Sequence, residues 1–496
     1  MMTETGSPLS VISRLQKLLP DSTINTEPAK LAAAASSSPV LPAGRSPTCI
    51  VHPANPDELQ AVIGYANEVG LNLTITSSTG VHRNGGSTNP EENVLIDLSH
   101  WQKIDLIDRR NRVCRIEPGV SYGQLVAALA EHGMTLPIPL APRNGKSVLA
   151  SVMDRTPATW PNKQWDSSDP AGSTEFFFGN GERFRSGAGG GPGTIEQQRQ
   201  SGGAQKFSSG PSQTDFHRVI QGAQGTLGIL TWITLRTELK PTLQKTLLTG
   251  SERLEDLLPF VYAVQRGLLG EQTFILDRTA AAMLLANGNA KAFDSLRSAN
   301  PTYLCLQNIA GFERLPQERL AYQLQDIGGF ARQFDLRLEE QIGSVAAADL
   351  FARATQPCGE IDWRDILRGN SLSIFFLSTL DRMPALRKDL VDTVQESGIP
   401  EAETGTYIQP IVQNHACQME FILPFDPGSE TEIRRMKQIE RQAVIRLMKS
   451  GAFFSRPYGS AAELVWGQNP ANYQMVKIIK GLFDPRRVLQ RGKWGL

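Results

Sequence analysis

Apolar positions in the first half of the chain follow two periods in turn. From Pro56-Asp-Glu-Leu-Gln to Gly70 they fall at 59, 62, 63, 66 and 69, the spacing of one helix face. A proline and two acidic residues open that helix and a glycine closes it. Residues 9–19 and 122–132 carry the same spacing, the second closed by Gly133. Short apolar or β-branched runs at 71–76, 94–98, 112–116 and 229–236 read as strands. The alternation predicts an α+β fold. Beyond Pro241 a second α+β region with strong helices follows. Residues 431–450 place Ile433, Met436, Ile439, Ala443, Val444 and Leu447 on one face, and Arg434, Arg435, Lys437, Arg441, Arg446 and Lys449 largely on the other. This predicts a core-packing helix with a solvated basic face; docking of an acidic partner is the alternative.

Composition alters the picture in one place. Residues 186–213 turn to Gly, Ser and Gln and predict a long loop, either simply mobile or acting as a lid or partner surface. The 496 residues suffice for roughly two to four domains. Fifty basic and fifty acidic residues cancel, so no global field draws nucleic acid or an anionic membrane. The five cysteines lie far apart without a C-x-x-C pair, which supplies neither a zinc nor an iron–sulfur site and suits a reducing compartment. The six histidines show no metal spacing, so no structural metal is expected. Residues 1–41 lack the basic start and apolar core of a secretory signal, and no apolar run is long enough to cross a bilayer. A cytoplasmic protein is expected.

Two glycine turns carry the candidate chemistry. In Gly222-Ala-Gln-Gly225-Thr-Leu-Gly228-Ile-Leu-Thr231, a missing Cβ at Gly225 and Gly228 lets the backbone approach a flat ring or a phosphate and adopt φ > 0 before a buried strand. A plain tight turn is the alternative. In Thr76-Ser-Ser-Thr-Gly80-Val-His-Arg-Asn-Gly85-Gly86-Ser87, successive N–H groups can form a nest that cradles a pyrophosphate. Two other motifs fail. Gly187-Ala-Gly189-Gly-Gly-Pro192 has a proline where a nicotinamide fingerprint needs its last glycine, and no strand and helix with the right spacing flank it. Gly145-Lys146-Ser147 lacks the glycine five positions earlier, where Leu140 stands, so it is no Walker A loop.

Together with the tail Phe483-Asp-Pro-Arg-Arg-Val-Leu-Gln-Arg-Gly-Lys493, these turns resemble the FAD-linked oxidases of the vanillyl-alcohol oxidase and p-cresol methylhydroxylase type. The resemblance spans roughly residues 45–240 and the last thirty. It implies a PCMH-type FAD-binding domain of two α+β subdomains with an α+β substrate (cap) domain. The expected boundaries are an N-terminal extension over 1–44, the FAD-binding domain over 45–240, the cap over 241–455, and 456–496 returning to the FAD domain. The implied flavin-binding residues are Ser77, Ser78, Thr79, Gly80, Val81, Gly85 and Gly86, Pro118 and Gly119 of Glu117-Pro-Gly-Val, Ser147, Ala150 and Ser151, Gly225, Gly228 and Ile229, and Lys493. The departures are serines at 77 and 78, Val81 at a Thr or His position, Ala150 and Ser151 in place of two glycines, and Gln490-Arg491 in place of Asn-Pro. Val81 has no nucleophilic atom and His82 lies one step out of register, so non-covalent FAD is expected.

Gly451-Ala-Phe-Phe-Ser-Arg456-Pro-Tyr458-Gly is similar to the segment in which phenol-oxidising members place an arginine near the substrate oxygen. A fixed guanidinium and a tyrosine hydroxyl can polarise a phenol or hold a carboxylate; an interdomain salt bridge is the alternative for Arg456, and a structural role for Tyr458. His415 is a candidate acid/base group, with a hydrogen-bonded core residue as the alternative. The resemblance implies two-electron oxidation of a small organic substrate, with electrons passing to oxygen, a cytochrome or an iron–sulfur partner subunit, and an oligomer is expected. Its rivals are a 2-hydroxy-acid dehydrogenase FAD subunit like that of glycolate oxidase, disfavoured by the missing H-x-G-D-G-N-x-H motif, and a flavin-depleted scaffold subunit of a redox complex.

Overall fold

A computed structural model describes residues 8–201, 205–211 and 215–495; the expected N-terminal extension and the glycine-rich stretch therefore lie partly outside the described residues. The helix expected from residue 56 runs Pro56–Val69. Asn55 caps it by accepting from the N–H groups of Asp57 and Glu58, and Gly70 ends it at φ 75°, a left-handed conformation that suits glycine. The helix joins the strands Ile50–His52 and Leu73–Thr76, both parallel to Val94–Asp97 between them. Thr23–Asn25 adds antiparallel at one edge. At the other edge the C-terminal tail returns: Leu73 N–H donates to the Val488 carbonyl at 2.6 Å and Gln490 N–H to the Leu73 carbonyl at 2.8 Å.

A buried lysine fixes that return. Lys480 Nζ donates to the Thr226 carbonyl at 2.6 Å, the Leu489 carbonyl at 2.7 Å and Asp484 Oδ2 at 2.5 Å. Asp484, also buried, accepts from the N–H groups of Val488 and Leu489 at 2.8 and 2.9 Å. One ammonium thus joins the 222–228 turn to the end of the chain.

A five-stranded antiparallel sheet runs in the order Ile104–Asp108, Val113–Ile116, Gly228–Arg236, Ala171–Phe178, Arg183–Ser186. The strand after the Gly222 turn sits at its centre, with Gly228 opposite Phe178 and Ile229 opposite Phe177. Gly225 takes φ 79°, as expected, but Gly228 does not have positive φ, because it is already the first strand residue. Its missing Cβ serves close packing: one would lie 3.1 Å from the Phe177 carbonyl oxygen. Gly119 is more constrained, since a Cβ there would lie 2.3 Å from the Ser99 carbonyl oxygen.

A six-stranded antiparallel sheet follows, ordered Leu243–Ser251, Tyr303–Gly311, Gln272–Asp277, Gly405–Ile411, Ala416–Phe425, Asn370–Ser378. Helices Leu254–Arg266, Pro316–Gln333, Met383–Glu396 and Glu430–Lys449 share one of its apolar cores, and Arg278–Ala286 with Ala347–Ala354 share the other. Glu430–Lys449 buries the expected apolar face, and Arg446 from its basic side is engaged by Asp392 at 3.2 Å and Glu396 at 3.0 Å. The chain is a mixed helix and sheet protein.

The glycine-rich stretch departs from expectation. It contains a 3-10 turn, Gly187–Gly190, and a helix, Ile195–Gln200, opened by a Thr194/Gln197 capping box. The strand before Gly187, Arg183–Ser186, is an antiparallel edge, not the parallel strand a nicotinamide fold requires. All five cysteines are buried as free thiols. No helix among the described residues is long and apolar enough to cross a membrane.

Candidate active site

A cavity of about 320 Å³ opens where the loop after Thr76, the 146–154 segment, the 223–230 turn and the C-terminal tail meet the six-stranded sheet. At one end stand Ser77, Ser78, Val81, His82 and Gly86, then Lys146, Ala150, Ser151 and Asp154, then Gly225, Gly228 and Ile229, with Gln490 and Lys493 from the tail; Pro118 also lines the cavity. Phe375, Tyr407, Gln418 and Glu420 come from the six-stranded sheet, joined by Arg364, Arg456 and Tyr458. Glu420 pairs in register with Phe375 on one side and Tyr407 on the other, so the three side chains project from one face. Gln418 is two residues before Glu420 and shares that face.

Several charges cancel in place. Glu420 receives Arg364 through both oxygens, at 2.8 and 2.9 Å. Arg364 also reaches Asp362 at 3.2 Å, and Asp362 takes Arg83 at 2.9 Å. Arg83 belongs to the loop after Thr76 and also donates to Ser371 and Ser373, at 2.9 and 2.8 Å, which ties that loop to the sheet. Four further cations line the cavity: Arg143, Lys146, Arg456 and Lys493. The one further carboxylate among the lining residues is Asp154. A surplus of positive charge beside glycine-bearing backbone suits an anionic group such as a dinucleotide pyrophosphate. Val81, 61% exposed, offers an apolar surface to the same space, and the buried Gln490 Oε1 has no protein partner.

Arg456 is buried, lies 4.4 Å over the Phe375 ring and donates to Gln418 Oε1. It makes no interdomain salt bridge; among the described residues no carboxylate lies within ion-pair distance of it. The Tyr458 hydroxyl is buried and makes no hydrogen bond of ordinary geometry. Burial first, and then the Asp154 carboxylate, push its phenol well above the usual tyrosine range. Tyr458 is therefore a neutral donor. Burial, with Lys146, Arg143 and Lys493 nearby, lowers His82 to about 3, so its ring is neutral beside Thr76 Oγ1 at 3.1 Å.

Some expected residues support the cavity from outside. Ser147 donates from Oγ to the Pro118 carbonyl at 2.6 Å, accepts from Ala150 N–H at 3.0 Å and donates its own N–H to Ser78 Oγ at 3.0 Å. It caps the short helix Val148–Met153, which carries Ala150 and Ser151. Thr79 is bonded to the Gly145 carbonyl, Gly80 lies against Arg143, Gly85 against Leu41, and Gly119 beneath Ser99. His415 is not at the cavity: it is exposed on the hairpin turn between Gly405–Ile411 and Ala416–Phe425. Val412, Gln413 and Asn414 all take positive φ there, and the chain reverses at this point. Sequence reasoning missed Asp154, Lys146, Arg143, Phe375 and Gln418. Asp154 was the one within reach, since it ends the short helix beginning at Ser147.

The fold matches solved structures along nearly its whole length. A 4-ethylphenol oxidase from Gulosibacter chungangensis, solved as an isoeugenol complex, superposes with a TM-score of 0.81 at 17% identity, covering 98% of this chain and 97% of that one. A p-cresol methylhydroxylase solved with substrate bound gives 0.81 at 17% identity, covering 98% and 96%. By sequence, a D-2-hydroxyglutarate dehydrogenase of Stutzerimonas stutzeri (strain A1501) is 20% identical over 456 residues, 90% of this chain and 91% of that protein. A family model described as an FAD binding domain matches residues 47–186. The chain is an FAD-dependent oxidoreductase with the p-cresol methylhydroxylase fold. In this flavoprotein the matched segment includes the loop after Thr76 and the short helix at Ser147, both at the cationic end of the cavity.

Proposed function

We propose that this flavoprotein oxidises a small phenolic or alcoholic substrate by hydride transfer to FAD and passes the electrons to an external acceptor, either oxygen or a partner subunit. The observation that carries this reading is the pairing of Arg456 with Tyr458. A guanidinium that has no carboxylate within ion-pair distance among the described residues and a buried tyrosine hydroxyl beside Asp154 both line the cavity. Bound FAD supplies the two-electron acceptor. Arg456 holds the substrate oxygen and stabilises negative charge on it, Phe375 and Gln418 fix the guanidinium plane, and Tyr458 donates its hydroxyl proton in a hydrogen bond to the same oxygen. Asp154, facing Lys146, Lys493 and Tyr458, accepts a proton at its carboxylate. Beside the glycine-bearing loop, Lys146, Lys493 and Arg143 neutralise the pyrophosphate. The test is anaerobic bleaching of the flavin band. 4-Alkylphenols should bleach it, and bleaching by D-2-hydroxy acids alone would overturn the phenol reading. The hydroxy-acid alternative draws support from the near full-length D-2-hydroxyglutarate dehydrogenase relative. The flavin-free scaffold is set aside, because the cationic, glycine-lined end of the cavity is intact.

The flavin is held without a covalent bond in this reading, since Val81 has no nucleophile and His82 Nε2 is engaged by Thr76 Oγ1. Acid precipitation should leave the supernatant yellow; flavin carried into the pellet contradicts this.

Flavin affinity should also depend on pH through Lys493. Burial lowers its ammonium from 10.5 to about 8, against the pull of Asp154. A bound pyrophosphate favours the charged form, so flavin binding takes up a proton above pH 8. Affinity should be flat below pH 8 and then fall by up to about tenfold per pH unit. Stability of the flavin-free chain moves the other way. Between about 8 and 10.5 the unfolded chain binds more protons at Lys493 than the folded one, so this group's contribution to stability rises with pH. Flavin titrations across pH 7 to 9.5 check both the direction and the onset, and a Lys493→Met chain should lose the dependence.

A further inference from the structure

A second chamber, of about 60 Å³, lies beside the main cavity. Arg456 and Tyr458 line both, together with Arg83, Asn84, Ser373 and Phe375, so these side chains form the partition. One wall of the chamber comes from outside both the flavin loops and the six-stranded sheet. It is built by Val40 and Leu41 of the N-terminal segment, and Leu372, Ile374, Val444, Phe454 and Ala461 add further apolar lining.

That segment is fixed to the flavin loop and to the sheet. Ser38 Oγ donates to Asn370 Oδ1 at 2.9 Å, Ser37 forms a bridge with His82, and Arg45 N–H donates to the Asn89 carbonyl at 2.8 Å. Leu41 is wedged between the loop after Thr76 and the segment that carries Tyr458. A Cβ at Gly85 would come within 3.3 Å of Leu41 Cδ1, and one at Gly459 within 2.9 Å of Leu41 Cδ2. Both glycines have positive φ, 66° and 51°. One side chain therefore touches the loop after Thr76 and the residue directly after Tyr458.

We infer that Val40 and Leu41 complete the substrate site, and that the chamber they wall receives a small apolar substituent carried on the carbon adjacent to the one that bears the oxygen held by Arg456 and Tyr458. The inference rests on the reading of those two residues as the oxygen-binding pair. An oxygen held by both lies at the partition, and a group on the neighbouring carbon is the part of the substrate nearest the chamber. About 10–15 Å³ of such space suffices for one water-sized group, so the chamber has room for a small substituent. Ser38 and Ser371, which also line the chamber, already bond to Asn370 and Asp365. Glu440 lines it too and disfavours an anionic substituent.

The test measures a ratio on the flavin-loaded protein: the dissociation constant of a substituted ligand over that of its parent, from the ligand-induced change in flavin absorbance. The probe pairs are 4-ethyl-2-methylphenol with 4-ethylphenol, and 2-hydroxybutanoate with glycolate. Ala461→Leu fills the chamber from one wall and should raise the ratio at least tenfold. Val40→Phe fills it from the N-terminal segment and should do the same, which guards against a folding defect in either variant. Leu41→Ala enlarges it and should lower the ratio for a bulkier 2-isopropyl phenol at least threefold. Ratios within twofold of the parent chain in both filling variants overturn the inference. If the acids perturb the flavin and the phenols do not, the phenol reading fails, while the ratio in the acid series still decides the chamber.

Discussion

A chain carrying Lys480→Met should unfold with about 3–5 kcal/mol less free energy than the parent, the usual cost of removing one partner of a buried ion pair. The ammonium of Lys480 serves two carbonyls and one carboxylate. Its loss strands the carbonyls of Thr226 and Leu489 and leaves the fully buried Asp484 carboxylate with only two backbone donors. The double variant Lys480→Met with Asp484→Leu should recover part of the loss, since it removes the unpaired charge. Urea unfolding measures both, and an unchanged midpoint in the single variant contradicts the account. Flavin should leave the single variant more readily, because the same lysine joins the 222–228 turn to the tail that carries Gln490 and Lys493.

Arg456→Met should keep its flavin and its fold while flavin reduction by substrate slows by roughly a hundredfold or more, the scale seen on losing one preorganised donor. Methionine fills much of the volume over Phe375 but cannot compensate developing negative charge. Arg456→Lys should rescue in part, since a point charge lacks the planar fork that reaches substrate and Gln418 together. Stopped-flow reduction with a 4-alkylphenol is the measurement. Unchanged rates in Arg456→Met with an unchanged flavin spectrum would leave the guanidinium a purely structural role.

Local signals in the sequence were read correctly where one segment contains its own cause. The Pro56-Asp-Glu start, the apolar face and Gly70 define one helix without help from elsewhere, and the strand after Gly228 follows from its β-branched run. The helix at Ile195–Gln200 was missed although Thr194 and Gln197 spell a capping box, because composition outweighed the local pattern. His415 was misplaced because the apolar runs on either side of it hide a reversal made by three left-handed residues. The substrate end was not legible for a different reason. Phe375, Tyr407 and Glu420 become neighbours through strand register between distant segments, and no spacing within any one of them records that.

The burial of the five thiols has a practical consequence. Burial pushes Cys49, Cys114 and Cys305 up to about 12 and Cys417 further, so the folded chain presents almost no thiolate to an alkylating reagent. Modification then has to wait for the chain to open. Cys49 and Cys114 report on the half that holds the FAD-binding segment, and Cys305 and Cys417 on the six-stranded sheet. Mass spectrometry of the order in which they are alkylated gives the molecule a clock in each half, and shows which half lets go of the other first.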